Sequence, residues 1–153
     1  SHLQQLLHDF SNEFLQESAR QSKPWSLLLM TEPGAQHSLG LLMLSEFFKR
    51  SGWNVTVGVP QDVREFQRLF QSEWFDAVGV SISSDRQLDA MASLLPSLRQ
   101  GADNVQLRLF VGGPMALLAP ERLKGLAADL VREDAPATVT WLEQRMTAGV
   151  THA

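Results

Sequence analysis

Trp25-Ser26-Leu27-Leu28-Leu29-Met30, followed by Glu32-Pro33-Gly34-Ala35-Gln36-His37-Ser38-Leu39-Gly40 and then the amphipathic run Leu41 to Arg50, decides the fold. A short apolar run, a Gly/Pro turn and a helical pattern read as strand, loop and helix. That order sets His37 at the carboxyl end of a first strand, where open α/β sheets bind their ligands. Either ring nitrogen of an imidazole can ligate a metal, so one well-placed histidine can hold a metal-centred cofactor.

The same alternation continues beyond this unit. Asn54 to Val59 reads as a strand from its β-branched content and is stopped by Pro60. Asp62 opens a helix with Glu65 three residues on, as in a capping box, and Val63, Phe66, Leu69 and Phe70 form its apolar stripe. Ala77 to Ser81 is the third strand. Its helix is expected from about Asp85 to Leu98, with Leu88, Met91, Ala92 and Leu95 on one face and Pro96 kinking or ending it. A fourth strand, Val105 to Val111, halts at Gly112-Gly113-Pro114. After it come a short helix from Pro120 to Leu126, a weak strand from Ala128 to Val131 and a last helix from Ala135 to Met146, capped by Asp134.

Five strand-helix units in about 125 residues predict an α/β domain with a doubly wound, five-stranded parallel sheet of the flavodoxin-like order. Ahead of it, Leu3, Leu6, Leu7, Phe10 and Phe14 carry helical spacing from Leu3 to Arg20, ended at Ser22-Lys23-Pro24. The expected organisation is an N-terminal helix and linker over residues 1–22 and one α/β domain over residues 23–150.

Composition narrows the function. The 153 residues carry 17 acidic against 13 basic side chains, a net charge of −4, with no basic stripe, so direct nucleic-acid binding is not expected. The absence of cysteine excludes disulfides, thiolate metal sites and thiol catalysis within the sequence. No apolar run reaches the roughly 18 residues of a membrane span. Ser1-His2 does not read as a signal peptide, and the expectation is a cytoplasmic piece of a larger protein with an upstream sensor domain.

Ligand chemistry belongs to the loops at the strand carboxyl ends. These are Thr31 to Leu39, Pro60-Gln61, Ser81 to Arg86, Gly112 to Leu118 and Arg132 to Ala135. His37, the serines 81, 83 and 84, and Gly112-Gly113 stand out. Plain readings exist beside the functional ones: a loop histidine, serines capping the helix near Asp85, and a tight turn at the glycine pair. Trp25, Trp53, Trp74 and Trp141 read as packing residues, and His2, His8 and His152 as uninvolved.

Taken in order, these loops resemble the cobalamin-binding domain family, over the stretch from about Trp25 to Met146. That family carries Asp-x-His-x-x-Gly in the first loop, Ser-x-Leu at the third strand end and Gly-Gly at the fourth. Here stand Ala35-Gln36-His37-Ser38-Leu39-Gly40, Ser81-Ile82-Ser83 and Gly112-Gly113. The resemblance implies His37 as the lower axial ligand and only metal ligand, with Gly40 closing its motif. It implies that Ser81 hydrogen-bonds the nucleotide tail of the cofactor, that Gly112 and Gly113 let that tail approach the backbone, and that Ser83 is among the cofactor-binding residues. Two departures matter: Ala35 stands where the family's aspartate would orient the histidine, and Ser83 stands for leucine. Loss of the orienting acid predicts weak, reversible binding.

Within the family, Gln36 to Leu41 with Ser51-Gly52-Trp53 is similar to the regulatory subgroup. That subgroup includes the AppA-type photosynthesis antirepressors, in which a heme-binding variant replaces cobalamin. This implies heme as cofactor, with cobalamin the alternative, and His37 as iron ligand. It also implies a sensory module that acts through a partner transcriptional repressor protein. A cobalamin-carrying domain of a methyltransferase or mutase is the rival. A phospho-receiver fits poorly, because Glu32, Ser81 and Arg132 occupy the positions where it needs acids and a lysine. The loops offer no complete acid-base set, so the domain is not expected to be an enzyme.

Overall fold

The computed structural model describes residues 3–7, 9, 23–36, 38–102, 104 and 106–151. Strand β1 (Ser26–Thr31) is followed by α1 (Leu39–Arg50), β2 (Asn54–Gly58), α2 (Val63–Gln71), β3 (Ala77–Ser81) and α3 (Leu88–Gly101). Then come β4 (Arg108–Gly112), α4 (Pro114–Leu118), a 3₁₀ turn (Pro120–Leu123), β5 (Asp129–Leu130) and α5 (Ala135–Thr151). All five strands are parallel, in the order β2-β1-β3-β4-β5, which is the expected flavodoxin-like sheet. The chain reverses its winding between β1 and β3, so the loops after these two strands diverge and leave a crevice at the sheet's carboxyl edge.

Alternation along the strands divides the core in two. Leu28, Met30, Val78, Val80, Leu109 and Val111 pack on one face with Phe66 of α2 and with Met91, Leu94 and Leu95 of α3. Leu27, Leu29, Ala77 and Phe110 pack on the other with Leu41 and Phe48 of α1 and with Val139 and Leu142 of α5. Both faces are covered, which is why these strands read as continuous apolar runs. At the amino edge of the sheet Trp53 is buried, and its Nε1 donates to Glu143 Oε2 at 2.9 Å. Lys23 pairs with the same carboxylate at 3.2 Å, fastening the start of the domain to α5.

Several boundaries differ from expectation. Helix α3 starts at Leu88, not Asp85, and runs through Pro96 to Gly101. Pro96 removes the bond to the Ala92 carbonyl, but Ala92 is exposed to water while Met91, Leu94, Leu95 and Leu98 are buried and hold the helix on the sheet. The segment after Gly112-Gly113 is a helix, α4, with Pro114 in its first turn, and Pro120–Leu123 is only a 3₁₀ turn. Strand β4 begins at Arg108, Val105 lies outside the described residues, β5 is confined to Asp129–Leu130, and α5 extends past Met146. Residues 3–7 and 9 are helical, and the rest of the expected N-terminal helix lies outside the described residues. Among the described residues no helix is long and apolar enough to cross a membrane.

Candidate ligand groove

The loop after β1 is tied to both neighbouring strand ends. Glu32 N donates to Ser81 O at 3.1 Å and Gly34 N to Pro60 O at 2.9 Å. Gly34 turns the chain with φ of +84°, a conformation that suits glycine. Ser38 then caps α1, its Oγ accepting from Leu41 N at 3.2 Å. His37 itself lies outside the described residues.

Ser81 ends β3, and among the described residues its hydroxyl has no hydrogen-bond partner. Against it lies Gly113, with φ of +92°, where a Cβ would stand 2.5 Å from Ser81 Oγ and 3.0 Å from Ile82 N. At Gly112 a Cβ would come within 3.4 Å of Val131 O. Close approach and a positive φ therefore require glycine at position 113, while the contact at position 112 is an ordinary one. The strand ends are joined by Ile82 N donating to Gly112 O at 2.9 Å and Met115 N to Ile82 O at 3.0 Å.

Between these strand ends, the first turns of α1 and the start of α5 runs a groove of about 710 Å³. Leu29, Gly79 and Phe110, register neighbours on three adjacent strands, form its floor. Leu41, Leu44, Val131 and Thr138 line its sides, and Ser38, Gly40, Ser81, Gly112 and Gly113 also border it. At the mouth, Leu39, Leu117 and Leu118 are exposed, the last at 84%. Arg132 pins that end of α4, its Nε donating to Ala116 O at 2.9 Å and an Nη to Leu117 O at 3.4 Å.

The groove thus collects Gly40, Ser81, Gly112 and Gly113 of the expected set. Gly40 sits in the first turn of α1, where a Cβ would meet only Ser38 Oγ at an ordinary 3.7 Å, so space does not demand glycine there. Ser83 is not among the lining residues. Its N–H and Oγ donate to Glu32 Oε1 at 2.8 and 2.7 Å, and Ser84 N adds a third bond at 3.3 Å. Nor do these serines cap α3, whose N-cap is Gln87 without a side-chain bond. Glu32 is 2% exposed, and its Oε2 has no partner among the described residues. No group of three or more His, Asp or Glu side chains among the described residues is placed to hold a metal ion. Phe110, Leu117 and Leu118 were not named as site candidates from the sequence, and Arg132 only as a mismatch to a phospho-receiver; Leu109 and Val111 beside Phe110 are equally apolar and do not mark its face.

The B12 binding domain model matches residues 26–142, which include every residue that lines the groove. The chain belongs to the B12 binding domain family. A relative from Rhodobacter capsulatus, "Uncharacterized 20.5 kDa protein in bchF-crtJ intergenic region", is 30% identical over 137 residues, covering 88% of this chain and 69% of that protein. Among solved structures, a cobalamin-binding protein from Desulfitobacterium hafniense superposes with a TM-score of 0.67 at 20% identity, over 80% of this chain and 59% of its own. The monomethylamine corrinoid protein of Methanosarcina barkeri does so with a TM-score of 0.66 at 11% identity, over 89% of this chain and 63% of its own. At such identities the likeness is one of fold. This chain spans less than two thirds of either structure's length.

Proposed function

We propose that this domain binds cobalamin at the carboxyl edge of its sheet, where the groove would take the nucleotide tail and His37 would hold the metal. In this reading it serves as a sensory module, not an enzyme. The observation that carries the ligand is the unpartnered Ser81 hydroxyl facing a backbone cleared by Gly113. These residues fit the group: an apolar channel for a base, a free hydroxyl for a ribose or phosphate oxygen, and a strand end that a Cβ would block. Bound cobalamin supplies a cobalt centre whose absorption reports its axial ligand. Heme, the cofactor implied by the regulatory resemblance, is a flat macrocycle with no tail to occupy a groove of this depth. The groove therefore favours cobalamin over heme.

Support for a regulatory role comes from two features. Ala35 leaves the first loop without an acid at the motif position, and Glu32 gives its Oε1 to the Ser83-Ser84 turn. Beside the groove mouth, Leu117 and Leu118 form an exposed apolar ridge that a seated ligand would adjoin. Such a surface can convert occupancy into contact with a partner repressor. The acidic balance opposes direct contact with DNA.

The test is a titration of the purified protein with hydroxocobalamin and, separately, hemin, followed by absorption. A saturable shift with cobalamin that is lost in His37→Ala is expected. Saturable, His37-dependent binding of hemin alone would replace cobalamin by heme. Equal affinity for the partner repressor with and without cobalamin would reduce the domain to a scaffold.

A further inference from the structure

Resting on the cobalamin reading, we infer that the groove selects corrinoids by the chemistry of the tail base, accepting an apolar benzimidazole and discriminating against a purine. The determinant is the floor. A Cβ at Gly79 would fall on Phe110 Cζ, lie 2.5 Å from Cε2 and stand 3.0 Å from Leu29 Cδ2, so the Phe110 ring lies across the strand where a side chain is missing. The ring cannot retreat, because Trp141 meets it edge-on at 5.6 Å and 73°, with the Arg145 guanidinium 4.2 Å above the Trp141 ring. Phe110 is 3% exposed, which leaves the groove a fixed aromatic base plate.

Around that plate the inner wall is Leu29, Leu41, Leu44 and Val131, which offer no hydrogen bond. Thr138, 2% exposed, is the one buried polar side chain among the described lining residues, and its Oγ1 proton is already given to Asp134 O at 2.8 Å. Ser38, Arg132, Glu133 and Asp134 are exposed and Ser81 half-buried, so these polar side chains stand toward solvent, where the ribose and phosphate of a tail would meet them. A dimethylbenzimidazole brings two methyl groups and an aromatic face to this wall. Adenine brings an exocyclic amine and several ring nitrogens, which a single threonine oxygen cannot satisfy. Each polar group buried without a partner weakens binding, and the expected total is on the order of 10- to 100-fold.

The experiment measures dissociation constants of the full chain for three ligands by absorption and calorimetry. These are cobalamin, its adenine-tailed analogue and cobinamide, which has no nucleotide tail. Cobalamin is expected to bind about 10- to 100-fold more tightly than the adenine analogue, and cobinamide to bind more weakly than cobalamin. Phe110→Leu, which keeps an apolar floor without the aromatic face, should shrink the cobalamin-to-adenine ratio. Equal affinities for cobalamin and the adenine analogue, or an unchanged ratio in Phe110→Leu, would overturn base selection while leaving cobalamin binding intact. Cobinamide binding as tightly as cobalamin would show that the tail stays outside the groove. Failure of all three to bind would remove the cobalamin reading together with the inference.

Discussion

Ser83 Oγ donates to Glu32 Oε1 at 2.7 Å, closing a link between residues 51 positions apart. The same oxygen takes the Ser83 and Ser84 N–H groups, so one buried carboxyl group holds the β3–α3 turn against the loop that leads to His37. Glu32→Ala would strand two backbone donors and should destabilise the fold by about 1–3 kcal/mol in urea denaturation. Glu32→Gln keeps an acceptor oxygen in place and should cost clearly less. Ser83→Ala removes one of the three donors and should fall near 1 kcal/mol. Equal losses for Glu32→Ala and Glu32→Gln would deny the linking role.

The groove's glycines separate space from motif. Gly113→Ala combines a φ of +92° with a Cβ pressed on Ser81 Oγ and, at 3.0 Å, on the Ile82 backbone nitrogen. Backbone cannot step aside, so a loss of about 1–3 kcal/mol is expected, together with weaker cobalamin binding as Ser81 is displaced. Gly40→Ala meets no such obstacle and sits in a helix, where alanine gains roughly 0.5–1 kcal/mol over glycine. It should raise the thermal midpoint. A drop in cobalamin affinity in that stabilised variant would mark Gly40 as a ligand-contact position; an unchanged affinity would leave it a family motif residue without a contact.

Much of this architecture was legible because the strands are short apolar runs bounded by turn residues, as with Leu27 to Met30 between Pro24 and Pro33, or Ala77 to Ser81 before the serine turn. Helix α4 was not, since Pro114–Leu118 is too short to show a period. Ser83 and Ser84 look like cap residues, and only the folded chain brings Glu32 to them; no spacing in the sequence announces a contact across two strands. Phe110 was hidden for a different reason. Its neighbours Leu109 and Val111 are equally apolar, so the face each one takes emerges only from strand register. The roles of Ser81, Gly112 and Gly113 rest on resemblance, and the structure adds a steric reason for Gly113.

Asp76 supplies a pH dependence remote from the groove. Burial raises its carboxyl group above the ordinary aspartate value, partly offset by the bond from Ser26 N at 2.8 Å. The native state therefore keeps this proton to higher pH than the unfolded chain. Stability tied to Asp76 is complete below the unfolded value and falls as pH rises through the native one. Asp76→Asn retains an acceptor for Ser26 N but has no charge to desolvate. Denaturation measured at about pH 3 and about pH 7 should show the variant gaining on the wild type at the higher pH. A gap that stays constant, or moves the other way, would place the cause elsewhere.

The first loop makes the sharpest functional prediction. Ala35 N donates to Glu32 O at 3.2 Å and Ala35 O accepts from Thr31 Oγ1 at 3.3 Å, so its backbone is fixed while its side chain is too small to accept a hydrogen bond. Glu32 cannot substitute through the oxygen it has given to Ser83 and Ser84. A histidine ligand without an acceptor on its second nitrogen is a poorer base and is less well oriented; restoring such partners typically returns about 10- to 100-fold in metal affinity. Ala35→Asp should tighten cobalamin binding by that order, and the gain should vanish in the double variant with His37→Ala. Non-additivity is the decisive readout, because a carboxylate that acted only by general charge would help in both backgrounds. An equal gain with and without His37 would therefore disconnect the loop acid from axial ligation.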